Sequence, residues 1–195
     1  MRGIAVPVAE PYVDPAAERL LAAAPAQRRA LFLDRDGVVN VDHAYVHRAG
    51  DTDWVPGIFT LVAAAADAGF LPVVVTNQAG IARGLYDEAT FRDYTAWMHA
   101  EFARRGAPLL ATYHCPHHPT AGIGPLRAAC SCRKPAPGML LRAIADWGIV
   151  PAASVLLGDK TSDLEAAHAA GVGRAVRVEG GRLPALADLL DGSTP

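Results

Sequence analysis

Apolar and polar positions alternate along the chain in two rhythms, one of strand type and one of helix type. The stretch "LFLDRDGVVN" (31–40) opens as a short apolar run and ends on two carboxylates, Asp34 and Asp36. "VPGIFTLVAAAADAG" (55–69) then carries apolar residues at helical spacing and a glycine stop. "FLPVVVTNQAG" (70–80) reads as a buried strand running into a polar turn. "DEATFRDYTAWMHAEFARRG" (87–106) predicts a helix with Asp87 as N-cap, and it gathers Phe91, Tyr94, Trp97, Met98 and Phe102 near one face. Core packing explains that stripe better than a cofactor does. "PLLATYHC" (108–115) is a further strand, "PGMLLRAIADWG" (137–148) a helix, "SVLLGDK" (154–160) a strand and "SDLEAAHAAG" (162–171) a helix. "RAVRV" (174–178) and "LPALADLL" (183–190) close the pattern as strand and helix.

Strands alternating with helices predict an α/β fold, a doubly wound parallel sheet covered on both faces. Residues 1–30 form an Ala/Pro-rich arm with a short helix near 15–24, and 31–195 form a single domain. The irregular Pro/Gly/Cys/His loop from 115 to 132 is the one insertion long enough to be a functional loop.

Composition narrows the partners. With 51% hydrophobic and 19% charged residues over 195 positions, the chain reads as one soluble globular protein. A formal net charge of -2 offers no global attraction to nucleic acid or to anionic membrane, so any anionic ligand must be held by locally placed cations. No apolar run approaches the ~20 residues of a membrane span, and the early prolines and acids are unlike a secretory signal. A cytoplasmic protein is expected, with a monomer favoured.

In open α/β sheets the sites lie at the carboxyl ends of the strands. Asp34 and Asp36 end one strand here, Thr76 and Asn77 a second, and Asp159 and Lys160 a third, while "CRKP" brings Arg133 and Lys134 just before a helix. Two carboxylates this close repel, and packing has no use for them. Phosphoryl transfer does: Asp34 as nucleophile can form an aspartyl-phosphate, and Asp36 can protonate the leaving oxygen and later activate water. Hard oxygen ligands from Asp34, the Asp36 backbone carbonyl and Asp159 suit Mg²⁺, which would offset the repulsion. Thr76 and Asn77 offer hydroxyl and amide donors to phosphate, Lys134 charge neutralisation and Arg133 bidentate contacts. A lone D-x-D or "GDKTSD" reads more simply as surface chemistry or a helix start, with Asp163 as a first-turn acid, but the joint order of the motifs favours catalysis.

With these motifs in this order the chain resembles the haloacid dehalogenase superfamily. "FLDRDGVVNVDHAYVH", "VVTNQAGIARG", "CPHHP", "CSCRKPAPGMLL" and "GDKTSDLEAA" are similar to the heptose 1,7-bisphosphate 7-phosphatase branch. The resemblance implies a five- or six-stranded parallel sheet with a minimal cap, and a small phosphorylated sugar as substrate. It implies Asp34 as nucleophile, Asp36 as acid/base, Asp159 as the remaining Mg²⁺ ligand, and substrate contacts from Asp42, His43, Tyr45, Thr76, Asn77, Gln78, Arg133, Lys134 and Lys160. Ala44 stands where this branch commonly has glycine. The resemblance also implies a structural Zn²⁺ held by Cys115, His117, Cys130 and Cys132, with His114 and His118 as alternative ligands that spacing leaves open. Four ligands of this kind close a tetrahedral site, and they include all three cysteines of the chain. The expected activity is removal of the 7-phosphate. The alternatives are histidinol-phosphate hydrolysis, a polynucleotide 3′-phosphatase, and a non-catalytic zinc-stabilised binding module.

Overall fold

The computed structural model describes residues 8–190. Residues 1–7 of the expected arm and the last five residues of the expected domain lie outside them.

The sheet is built first from strands buried on both faces, β2 (Arg29–Leu33), β3 (Phe70–Asn77), β4 (Ala111–Cys115) and β5 (Val155–Gly158), with the partly exposed β6 (Arg174–Arg177) at one edge. These five run parallel. A sixth strand, β1 (Tyr12–Val13), adds to the β4 edge in the antiparallel sense, so the order is β1-β4-β3-β2-β5-β6. The sheet is therefore mixed rather than wholly parallel. Two residues carry too little periodicity to announce a strand; the open edge of β4 supplies the hydrogen bonds that make one.

Helices cover both faces. Ala17 of α1 (Ala17–Ala23), Leu140 of α5 (Gly138–Trp147) and Ala166 of α6 (Thr161–Ala169) pack with Phe32, Val73, Val75 and Leu156. Ile58 of α2 (Ile58–Asp67), Met98 of α4 (Glu88–Arg104) and Leu189 of α7 (Leu186–Leu190) pack with Leu31, Leu33, Val74 and Leu157. Successive strand residues thus feed opposite cores, which is why these strands read as continuous apolar runs. Asp87 caps α4 as expected, its carboxylate accepting from the Thr90 N–H at 2.8 Å. The aromatic stripe is core: Phe91, Tyr94, Met98 and Phe102 are buried. A one-turn helix, α3 (Ala79–Ala82), follows β3, where the sequence pattern showed only a turn.

The arm is also tied to α4. Inside the sheet edge, His99 Nδ1 lies 2.9 Å from Asp14 and its Nε2 2.9 Å from Thr112 Oγ1. Among the described residues no helix is long and apolar enough to cross a membrane.

Candidate active site

β2 ends at Leu33, so Asp34 and Asp36 follow the strand rather than lie in it. The Asp34 N–H still bonds the Leu157 carbonyl at 2.9 Å, which holds its Cα at the strand end, and its side chain is buried. Beyond it the chain turns sharply: the Arg35 carbonyl accepts from the N–H groups of Val39 and Asn40 at 2.8 and 3.0 Å. Gly37 makes that turn possible. Its φ is 93°, and a Cβ there would meet Asp159 Oδ2 at 2.6 Å.

Lys134 reaches the same point from the other side. Its Nζ donates to Asp34 Oδ1 at 2.7 Å and to the Val75 carbonyl at 2.8 Å, and pairs with Asp163 Oδ1 at 2.7 Å, so three partners share one ammonium. Asn77 fixes its backbone by a reciprocal pair, Lys134 N–H to Oδ1 at 3.0 Å and Nδ2 to the Lys134 carbonyl at 3.1 Å. Asn77 is thus a support for the lysine as much as a donor facing the cleft.

Asp34, Asp159 and Asp163 offer carboxylate oxygens all within 4.8 Å of one another. Among the described residues, Asp159 Oδ1 is buried without a hydrogen-bond partner. Burial pushes Asp34 up to about 7 against the pull of Lys134, and repulsion from Asp163 and Asp36 adds to the rise. Burial by itself would lower Lys134, but Asp34 and Asp163 outweigh it and raise the lysine. Lys134 and the more exposed Lys160, which Asp159 shares with Asp42, are two ammoniums among four carboxylates and leave the cluster short of positive charge. An orphaned buried oxygen amid excess negative charge fits a hard divalent cation. Asp163 was not foreseen as part of this site. The signal was the acid four residues after Asp159, which reads equally well as a first-turn residue, and it does act there too, accepting from the Lys160 N–H at 3.0 Å.

Asp36 is held separately. Arg35, itself buried, donates to both its oxygens at 2.9 Å, Asn40 Nδ2 to Oδ1 at 3.1 Å and Gln78 Nε2 to Oδ2 at 3.3 Å. Arg35 also lies over the Tyr94 ring at 5.2 Å and donates to the Val46 carbonyl. The repulsion between Asp34 and Asp36 is thus met in part by an arginine between them in sequence, a role the sequence reading left entirely to metal.

A cleft of about 360 Å³ opens in front of these groups. Asp36, Asp42, Tyr45, Asn77, Gln78, Arg133, Lys134 and Lys160 line it together. Thr76 lies at its floor, in a smaller recess with Asp34, Asp36 and Asp163. Lys160 Nζ bridges Asp42 at 3.3 Å and Asp159 at 3.5 Å. Arg133 donates to the His117 carbonyl at 3.2 Å, which ties it to the Cys/His loop. His43 is placed outside the main cleft: its ring meets Asp53 at 2.8 Å and lines a neighbouring hollow. Between the two hollows Ala44 and Tyr45 adopt φ of 61° and 58°. Left-handed backbone at a residue with a Cβ costs about 1–2 kcal/mol.

The second cluster is compact. Cys115 Sγ lies 3.1 Å from Cys132 Sγ and 3.5 Å from Cys130 Sγ, and His117 Nδ1 is 3.7 and 3.5 Å from Cys115 and Cys132. A tetrahedron with Zn–S of about 2.3 Å has S···S edges of about 3.8 Å, so the four ligands need only small adjustment. The hydrogen bond shared with Cys115 pulls the Cys132 thiol down, toward the thiolate character a metal ligand requires. His117 is the histidine grouped with the three cysteines, whereas His114 turns to Glu88 at 2.6 Å and His118 accepts from the Ala121 N–H at 3.0 Å.

Comparison with known proteins agrees with this geometry. A HAD-hydrolase-like family model matches residues 131–187. Over 153 residues the chain is 49% identical to the D-glycero-beta-D-manno-heptose-1,7-bisphosphate 7-phosphatase of Vibrio cholerae, covering 78% of this chain and 82% of that protein. It is 47% identical over 153 residues to the enzyme of the same name from Escherichia coli K12, covering 78% and 80%. The D,D-heptose 1,7-bisphosphate phosphatase from B. bronchiseptica, solved with magnesium and phosphate, superposes with a TM-score of 0.66 at 37% identity, over 75% of this chain and 78% of that one. A Mesorhizobium loti protein assigned by likeness as a HAD-like phosphatase superposes at 0.77 with 33% identity, over 87% and 86%. The chain therefore belongs to the haloacid dehalogenase superfamily, within the family of the heptose-1,7-bisphosphate 7-phosphatases.

Proposed function

We propose that the protein is a cytoplasmic, magnesium-dependent phosphatase that removes the 7-phosphate of D-glycero-D-manno-heptose 1,7-bisphosphate, in the synthesis of nucleotide-activated heptose. The observation that carries this reading is the buried Asp34, paired with Lys134 and facing two further carboxylates at the floor of a cation-rimmed cleft, in a chain 49% identical to a phosphatase of that name.

Asp34, the Asp36 backbone carbonyl and Asp159 would hold Mg²⁺, with Asp163 supporting from behind, and the bound ion would neutralise phosphoryl charge and order the phosphate. An Asp34 oxygen attacks phosphorus, the bond from phosphorus to the sugar oxygen breaks, and Asp36 gives that oxygen its proton. The sugar 1-phosphate leaves. Asp36, now a carboxylate, takes a proton from water as the water oxygen attacks phosphorus, and the bond to Asp34 breaks to release phosphate. Lys134 keeps the attacking carboxylate in place and lies against the transferring group, while Thr76 and Asn77 donate to its oxygens. Arg133, Lys160, Asp42 and Tyr45 are the groups on the cleft wall able to read the far end of the sugar. Cys115, His117, Cys130 and Cys132 would hold Zn²⁺, which would pin the loop that delivers Arg133 and Lys134.

The test is a panel of esters. Magnesium-dependent kcat/KM should be highest for heptose 1,7-bisphosphate, at least about tenfold above its 7-monophosphate, because a remote phosphate assists transition-state positioning. Asp34→Asn should lower kcat at least about a thousandfold in a folded chain. A preference for histidinol phosphate, release of the anomeric phosphate first, or near-normal kcat in Asp34→Asn would overturn the assignment.

A further inference from the structure

One buried polar chain leads to Asp36 through Gln78 from Tyr86, a residue that neither the motifs nor the mechanism have used. Tyr86, in the turn after α3, is buried, and its hydroxyl donates to Gln78 Oε1 at 2.6 Å. Gln78 is buried as well. Its Nε2 carries two protons, and both are directed: one to Thr76 Oγ1 at 2.7 Å and the other to Asp36 Oδ2 at 3.3 Å. An amide has two orientations of nearly equal shape. Turned over, the Gln78 oxygen would face the Asp36 carboxylate, acceptor against acceptor. The Tyr86 hydroxyl anchors the oxygen at the other end and so favours the orientation in which nitrogen faces Asp36.

The tyrosine is seated tightly. A Cβ on Gly80 would meet its ring at 2.3 Å, so the bare glycine is the notch that admits it. On its other face the ring stacks on His47 at 4.5 Å with planes 20° apart, and His47 Nδ1 bonds the Tyr45 carbonyl at 2.7 Å. Tyr86 thus touches the loop that walls the cleft and, through one side chain, the carboxylate that handles the proton.

We propose that Tyr86 is a positioning residue for Asp36: it orients the Gln78 amide so that Gln78, together with Arg35 and Asn40, holds the Asp36 carboxylate at the leaving oxygen. This rests on the assignment of Asp36 as the acid/base. It differs from a packing role in what it should do to different leaving groups. Proton donation matters most when the departing alcohol is a poor leaving group and least when it is a stabilised phenolate.

Tyr86→Phe keeps the ring, the Gly80 notch and the His47 stack, and removes only the hydroxyl. On a sugar phosphate, kcat/KM, which reports the step in which the ester oxygen departs, should fall about tenfold, while kcat/KM on p-nitrophenyl phosphate should stay within about twofold of wild type. Equal losses on the two esters, or no loss on either, would overturn the proposal. A second measurement stands apart from the substrate assignment. In the uncut wild-type chain the Gln78 side-chain amide should show hydrogen-exchange protection by NMR, and Tyr86→Phe should lower it at least about tenfold. An equally protected Gln78 amide in the variant would defeat the proposal even if the phosphatase reading stands, whereas failure of wild type to hydrolyse either ester would count against that reading alone.

Discussion

Lys134 Nζ stands 2.7 Å from Asp34 Oδ1, a partner one hundred residues away in sequence, and the same ammonium pairs with Asp163 at 2.7 Å. All three side chains are buried. The arrangement joins the end of β2 to the loop that follows the cysteine cluster and to the first turn of α6.

Lys134→Met should therefore fail in two ways. It leaves Asp34 and Asp163 buried beside each other without a cation, at a cost of about 3–5 kcal/mol in metal-free protein. It also withdraws a charge from the transferring phosphoryl group, and kcat should drop at least about a hundredfold with magnesium present. Denaturant melts in chelator and assays in excess magnesium separate the two. Normal stability in chelator would show that the ion pair is not what holds these carboxylates.

Wild-type protein should carry about one zinc per chain through desalting, and Cys130→Ser should lose it. Cys130 lies 3.2 Å from Cys132, the residue immediately before Arg133 and Lys134, so the loss should reach the cleft. The expected results are a melting temperature roughly 5–10 °C lower and kcat/KM reduced about tenfold. Full metal content in the variant, or zinc-free wild type with unchanged melting, would remove the cluster from the structural account.

Away from the cleft, the His99–Asp14 contact predicts how the arm responds to pH. Burial holds His99 below its ordinary value although Asp14 pulls the other way. Burial would raise Asp14, but the His99 and Ala16 hydrogen bonds prevail and hold it below the usual carboxylate range. An unfolded histidine takes its proton near pH 6.5, whereas the folded one takes it only at lower pH. Its contribution is therefore complete above about 6.5 and is lost as pH falls toward the depressed folded value. Melting of wild type and His99→Gln compared between about pH 7.5 and about pH 5 should show the advantage of wild type shrinking toward acid. A constant difference would mean that His99 titrates alike in both states.

Much of this was legible along the chain. The helix over 87–106 was marked by its cap at Asp87 and by aromatic spacing, and the strands over 31–33 and 70–77 by apolar runs suited to a sheet covered on both faces. Asp34, Asp36, Thr76 and Asp159 stood at strand ends because parallel sheets put their loops there, and Lys134 stood just before a helix. β1 was not legible, since two residues have no period and their hydrogen bonds belong to β4. The family resemblance placed His43 in the substrate loop with Asp42 and Tyr45, and the structure turns its ring to Asp53.

Residue order alone settled the α/β alternation, the positions of the carboxylates and the clustering of the three cysteines, because these depend on local periodicity and spacing. Tertiary structure decided which charges meet. It placed Lys134 between Asp34 and Asp163, grouped His117 with the three cysteines, closed Arg35 onto Asp36 and set Tyr86 behind Gln78. Each of those outcomes turns on the direction of a side chain in a buried space shared by segments distant in sequence, and no period along one segment carries that direction.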